Sequence, residues 1–225
     1  ERQIAMPRGG ERLFLPSLLV FFFLLPILLL FAYFQIAAFS FGKLGLSTET
    51  ALLLLIACLV GSHINIPVSR RIYRYAPPRP LHFYDWFFYY PPIVREHVLA
   101  VNVGGALIPS TLALWLLTRT PWLPAAVGVC IVALFSKAVA RPVRGVGITM
   151  PPFFPPLMAA AVALLIGGDH SAEVAYISGV WGTLIGADLL NLPAIRKMNA
   201  HWVSIGGAGL FDGIFLVGLF AAFLS

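Results

Sequence analysis

The sequence predicts an all-α fold: a polytopic membrane helix bundle of about seven transmembrane helices, N-terminus inside and C-terminus outside. Three observations predict it. Of the 225 residues, 60% are apolar and only 11% are Asp, Glu, Lys or Arg, against about 25% charged in a soluble domain. The apolar residues gather into runs close to the roughly 20 residues that one crossing requires. The fifteen Lys and Arg residues sort into alternate gaps between those runs. A water-soluble globular enzyme, a disordered tail and a coiled coil are excluded. The net charge of +6 forms no continuous basic stripe, so no nucleic-acid partner is expected.

The expected spans are 13–39, 50–68, 97–117, 122–138, 152–167, 173–193 and 203–224. The first follows Arg2, Arg8 and Arg12 and is longer than the roughly 7–15 apolar residues of a secretory signal, so it reads as a span. The fourth and fifth are short and flanked by proline. With the N-terminus inside, the inner segments hold Arg2, Arg8 and Arg12, then Arg70, Arg71, Arg74, Arg79 and Arg95, then Lys137, Arg141 and Arg144, then Arg196 and Lys197. Only Lys43 and Arg119 fall outside. Positive charge stays on the cytoplasmic side of a membrane protein, and an even number of spans would spoil the split. The segment 69–96, basic at both ends and dense in Tyr, Phe and Pro, reads as an aromatic interfacial loop facing anionic lipid headgroups. Cys58 and Cys130 lie in apolar runs and read as small hydrophobes, without a disulfide or redox role.

The chain also carries signs of a parallel internal duplication. Ser47-x-Glu49-x-Ala51 opens the second span and Ser171-x-Glu173-x-Ala175 opens the sixth. Their ends read Gly61-Ser62-His63-Ile64-Asn65-Ile66-Pro67 and Gly186-Ala187-Asp188-Leu189-Leu190-Asn191-Leu192-Pro193. Asn102-Val103-Gly104-Gly105-Ala106 and Ser204-Ile205-Gly206-Gly207-Ala208 mark the third and seventh. The single transmembrane domain 1–225 then divides into a first half (13–117), a linking helix (118–140) and a second half (141–225), so that helices 1–3 and 5–7 repeat around helix 4. Local needs explain each piece separately: Ser caps a helix, Glu suits its first turn and paired glycines permit close helix packing.

Two of the nine acidic residues fall inside apolar spans, Asp188 and Asp212. An intramembrane carboxylate costs about 2.5–3.5 kcal/mol on insertion scales and points to function. The two lie twelve residues either side of residue 200, which puts them at similar depth on adjacent helices. A transport site would combine Asp188, Asp212 and Asn191 with His63, Asn65, Asn102 and Ser110, moving a small solute or ion as the carboxylates take up protons. A non-catalytic subunit of a larger membrane complex is the alternative. Asp188 and Asp212 as the acid–base dyad of an intramembrane aspartyl protease is the third. A structural reading, in which each Asp fixes packing by a hydrogen bond, stands beside all three. The protease signature Gly-x-Gly-Asp is departed from here, because Gly207-Ala208-Gly209-Leu210-Phe211-Asp212 carries two extra residues. The pattern favours a non-enzyme. His63 lacks a second His at helical spacing, so no metal and no cofactor are expected. The partners expected are the bilayer itself, with a homodimer or a membrane complex.

The chain resembles an uncharacterised family of bacterial and archaeal multispanning integral membrane proteins, a domain of unknown function. The stretches that carry the likeness are GSHINIP (61–67), NVGGALIP (102–109), PVRGVGITMPPFFPP (142–156), AYISGVWGTLIGADLLNLP (175–193) and SIGGAGLFDGIFLVG (204–218). The resemblance implies a shared multispanning fold, a place in a prokaryotic inner membrane, and membership of Asp188 and Asp212 in the family pattern. It implies no activity.

Overall fold

The computed structural model describes residues 11–75, 93–143, 147–197, 202–207 and 213–225. In chain order these form α1 (Glu11–Lys43), α2 (Thr48–Gly61), β1 (Asn65–Tyr75), β2 (Ile93–Asn102), a π-helical turn (Val103–Leu107) leading into α3 (Ile108–Leu117), and α4 (Trp122–Val139). Then come β3 (Arg141–Val143), β4 (Gly147–Thr149), α5 (Phe154–Ile166) and α6 (Ser171–Thr183). A second π turn (Leu184–Asp188) and a 3-10 turn (Leu189–Asn191) prolong α6 into α7 (Leu192–Lys197), followed by β5 (Trp202–Ile205) and α8 (Gly213–Leu224).

Helix α6 is the centre of the bundle. Every residue from Val174 to Val180 is buried, and α6 packs against α3, α4, α5 and α8. Tyr176, Ile177 and Val180 join Phe41 of α1, Leu55 of α2, Leu116 of α3 and Leu219 of α8 in one apolar cluster. Its contact with α4 rests on small residues at every fourth position. A Cβ on Gly128 would lie 3.1 Å from Ser178 Cβ, one on Gly182 2.6 Å from Val132 Cβ, and one on Gly186 2.2 Å from the Ala133 carbonyl. Backbones approach this closely only where side chains are absent, which is how helices associate without a hydrophobic drive between them. The ascending order of these pairs makes α4 and α6 parallel, so both deliver their C-terminal ends to the same side.

That side carries a sheet. β1 and β2 pair antiparallel from Asn65↔Asn102 to Tyr75↔Ile93, with an irregularity between Pro67 and Ser69. β5 joins β2 in parallel, from Val98↔Trp202 to Val101↔Ile205. β3 and β4 form a separate short ribbon. The chain is mostly helical, yet the expectation of an all-α fold is corrected by these strands. The second span stops at Gly61 rather than 68, the third starts at Val103 rather than 97, and the seventh is replaced over 202–205 by β5. Short apolar runs such as Val98–Val101 and Trp202–Ile205 fit a buried strand as well as a helix, and Pro67 suits the irregular start of an edge strand. The flanks of the expected 69–96 loop belong to β1 and β2, and 76–92 lies outside the described residues. Spans one, four and five coincide with α1, α4 and α5 to within a few residues.

Caps explain several boundaries. Ser47 accepts the Thr50 N–H at 3.3 Å to start α2, with Glu49 in the first turn. Pro155 and Pro156 open α5, where a missing N–H costs nothing. The matching expectation for Ser171 is corrected: it is the first residue of α6, whose cap position is His170, with no side-chain cap bond.

Among the described residues two helices, Phe21–Lys43 and Trp122–Val139, are long and apolar enough to cross a membrane, with mean hydropathies of 2.3 and 1.9. They are 6% and 28% buried, so neither is enclosed by the rest of the described chain. α2, α5 and the segment Val103–Leu117 are shorter apolar helices.

Candidate functional site

At the sheet end of the bundle, three chain segments converge on a recess of about 260 Å³ lined by Ser62, His63, Asn65, Asn102, Trp202, Ser204 and Gly207. Asn65 begins β1 just after α2 ends, Asn102 closes β2 and caps the π turn, and Ser204 lies on β5. Sheet register therefore brings together residues that are far apart in sequence.

Asn102 anchors the floor and is 2% exposed. Its Nδ2 donates to the Ser62 carbonyl at 2.7 Å and to Asn65 Oδ1 at 3.1 Å, while its Oδ1 accepts the Gly105 N–H at 2.9 Å. Ser204 Oγ donates to the same Asn65 oxygen. Ser62 Oγ donates to the Leu59 carbonyl at 2.7 Å, and His63 Nδ1 donates to that carbonyl at 3.1 Å. The glycines let the wall close in. A Cβ on Gly104 would meet the Cys58 carbonyl at 2.0 Å, so only glycine fits where the π turn crosses the end of α2.

Asp188 stands at the end of the second π turn, and its Oδ2 accepts the Gly206 N–H at 2.8 Å. Gly206 has φ +76°, and a Cβ there would lie 2.7 Å from Ala106 Cβ. One glycine thus touches both π turns: its N–H serves Asp188 and its Cα presses on Ala106. Its chain neighbours Ser204 and Gly207 line the recess. π turns often mark functional sites, and here they carry the carboxylate and the capped Asn102.

The expected site residues divide accordingly. His63, Asn65 and Asn102 are brought together in the recess, and Asp188 is tied to its wall through Gly206. Asn191 is not part of it. It is buried, donates to the Ala187 carbonyl at 2.9 Å and accepts from Lys137 Nζ. Lys137 also donates to the Leu190 carbonyl at 2.8 Å, so it locks the ends of α4 and α6 together. Ser110, half-buried in α3, does not line the recess, and Asp212 lies outside the described residues. Ser62, Trp202, Ser204 and Lys137 are not among the site residues that the sequence leads one to expect. Ser204 carried a signal all the same, because it aligns with Asn102 in the suspected repeat. Among the described residues no cluster of three or more His, Cys, Asp or Glu could hold a metal ion.

Residues 59–224 match a family model described as Protein of unknown function (DUF1614). The chain belongs to this family. The matched region takes in the recess, both π turns and the α4–α6 contact, and leaves out all of α1 and most of α2. No curated protein and no solved structure matches the chain.

Proposed function

We propose that this DUF1614 protein is an integral membrane protein that moves a small polar solute through the Asn65–Asn102–Ser204 recess, coupled to protonation of Asp188. One observation carries the reading. The Gly206 turn binds the Asp188 carboxylate on one side and contributes Ser204 and Gly207 to the recess on the other. Ionised Asp188 holds that turn with a charge-assisted hydrogen bond, about twice as strong as a neutral one. Protonation weakens the bond and loosens one wall of the recess, which links proton and solute occupancy by mutual bias.

The membrane assignment is supported by the apolar surfaces of α1 and α4, where Phe23 is 74% exposed and Trp122 71%. Arg70, Lys137 and Arg141 all sit at the sheet end, which the charge rule assigns to the cytoplasmic side. In a seven-span topology the recess would lie at the inner ends of α2, α4 and α6. One geometric fact supports the duplication reading: Asn102 and Ser204, which it aligns, both donate to a single Asn65 oxygen.

Reconstitution in vesicles loaded with a pH-sensitive dye tests the reading. Gradients of inositol, glycine and potassium chloride are imposed one at a time. At least one should drive a pH change with the native chain and none with Asp188→Asn. Equal pH changes for both proteins would remove Asp188 from the mechanism.

A further inference from the structure

The hydrogen bonds already made around the recess fix what remains for a solute. We propose that it recognises an uncharged, hydroxyl-bearing solute. This rests on the recess being the solute site, as argued above.

Each hydroxyl has one hydrogen and two lone pairs. Ser62 places its hydrogen on the Leu59 carbonyl and Ser204 places its own on Asn65 Oδ1, so both oxygens are left as acceptors. His63 Nδ1 lies 3.1 Å from the Leu59 carbonyl and 3.3 Å from Ser62 Oγ; with its hydrogen on that carbonyl, Nε2 is left as a third acceptor. Asn65 Oδ1 is occupied by two donors, whereas its Nδ2 has no acceptor among the described residues. Trp202, half-exposed at the rim, adds an indole N–H and an apolar ring face. Among the described residues the recess therefore offers three acceptors, two donors and no Asp, Glu, Lys or Arg.

That inventory discriminates between solute classes. A carboxylate can use the two donors but leaves three acceptors unmet, with no cation to balance its charge. An ammonium can use the three acceptors but leaves both N–H groups unmet, with no anion in the lining. A hydroxyl both gives and takes, so a solute with several of them satisfies both sets, while its C–H surface lies against the indole. The volume of about 260 Å³ is below the roughly 300–1,000 Å³ of pockets for drug-sized ligands, which suits a small polyol.

Calorimetric titration of the purified full chain in detergent tests the class. Inositol, glycerol and glucose serve as hydroxylated probes, and acetate and methylammonium as charged ones. At least one hydroxylated probe should bind saturably and the charged ones should not. Trp202→Phe keeps a flat ring at an exposed position and removes its N–H; Ser204→Ala removes one acceptor. Each should weaken binding about three- to tenfold, as the loss of one hydrogen bond does. Saturable binding of acetate or methylammonium with the hydroxylated probes silent would overturn the class and leave the recess as the solute site. Silence from every probe, with Asp188-dependent proton movement intact in vesicles, would overturn the recess as the recognition element and leave the role of Asp188 standing. Undiminished binding in both variants would overturn the assignment of these groups to the solute.

Discussion

Asn102 donates to Asn65 Oδ1 at 3.1 Å, joining the last residue of β2 to the first residue of β1 across the floor of the recess. The same side chain holds the Ser62 carbonyl and caps the π turn at Gly105. Asn102→Ala removes three hydrogen bonds from a buried site. At about 0.5–1.5 kcal/mol each, the expected loss is roughly 2–4 kcal/mol, read as a fall in unfolding free energy in mixed micelles. Asn102→Asp keeps the acceptor for Gly105 and loses both donations, so it should recover only part. A change below about 0.5 kcal/mol in the alanine variant would mean that Asn102 does not organise this junction.

Gly206 and Gly45 separate two costs of replacing a glycine. Both have positive φ, +76° and +74°. A Cβ on Gly45 meets nothing within 4 Å, whereas one on Gly206 meets Ala106 Cβ at 2.7 Å and Ala106 N at 2.9 Å. Gly45→Ala should cost about 1–2 kcal/mol from backbone strain alone. Gly206→Ala should cost clearly more, because the turn must also withdraw from Ala106 and from Asp188. Thermal unfolding of the two variants compares them directly, and equal midpoints would contradict the close approach.

The α4–α6 contact predicts an order of sensitivity. Gly182→Ala and Gly186→Ala introduce a methyl 2.6 Å from Val132 Cβ and 2.2 Å from the Ala133 carbonyl, so the helices must separate, at a cost of about 1–3 kcal/mol for overpacking. Gly128→Ala comes no nearer than 3.1 Å, to Ser178 Cβ, and should be the mildest. Because Lys137 and Asn191 close the same contact, crosslinking between cysteines placed at the ends of α4 and α6 should slow in the first two variants and not in Gly128→Ala.

Parts of this architecture were legible from residues alone. The long apolar runs gave α1, α4 and α5 nearly in full, since a helix of such composition has few other options. The strands were hidden because Val98–Val101 and Trp202–Ile205 are short, apolar and bordered by glycine-rich turns, a pattern that periodicity assigns as readily to a helix end. His63, Asn65 and Asn102 could be nominated as polar residues among apolar ones, and the fold brings them together. Asn191 was nominated on the same ground but serves Lys137, because the π turn after Thr183 changes which face of the helix it occupies. Ser204 and Trp202 are unremarkable in composition. Only the parallel pairing of β5 with β2, a long-range event, brings them to the recess.

The central claim is that the charge of Asp188 controls the Gly206 turn and hence the recess. The most direct measurement is the chemical shift of the Gly206 amide, selectively labelled, followed by NMR through a pH titration in detergent. The account predicts a single titration of that amide, absent in Asp188→Asn, whose position moves when a bound polyol is present. An amide shift that ignores pH, or that titrates unchanged in Asp188→Asn, would contradict it.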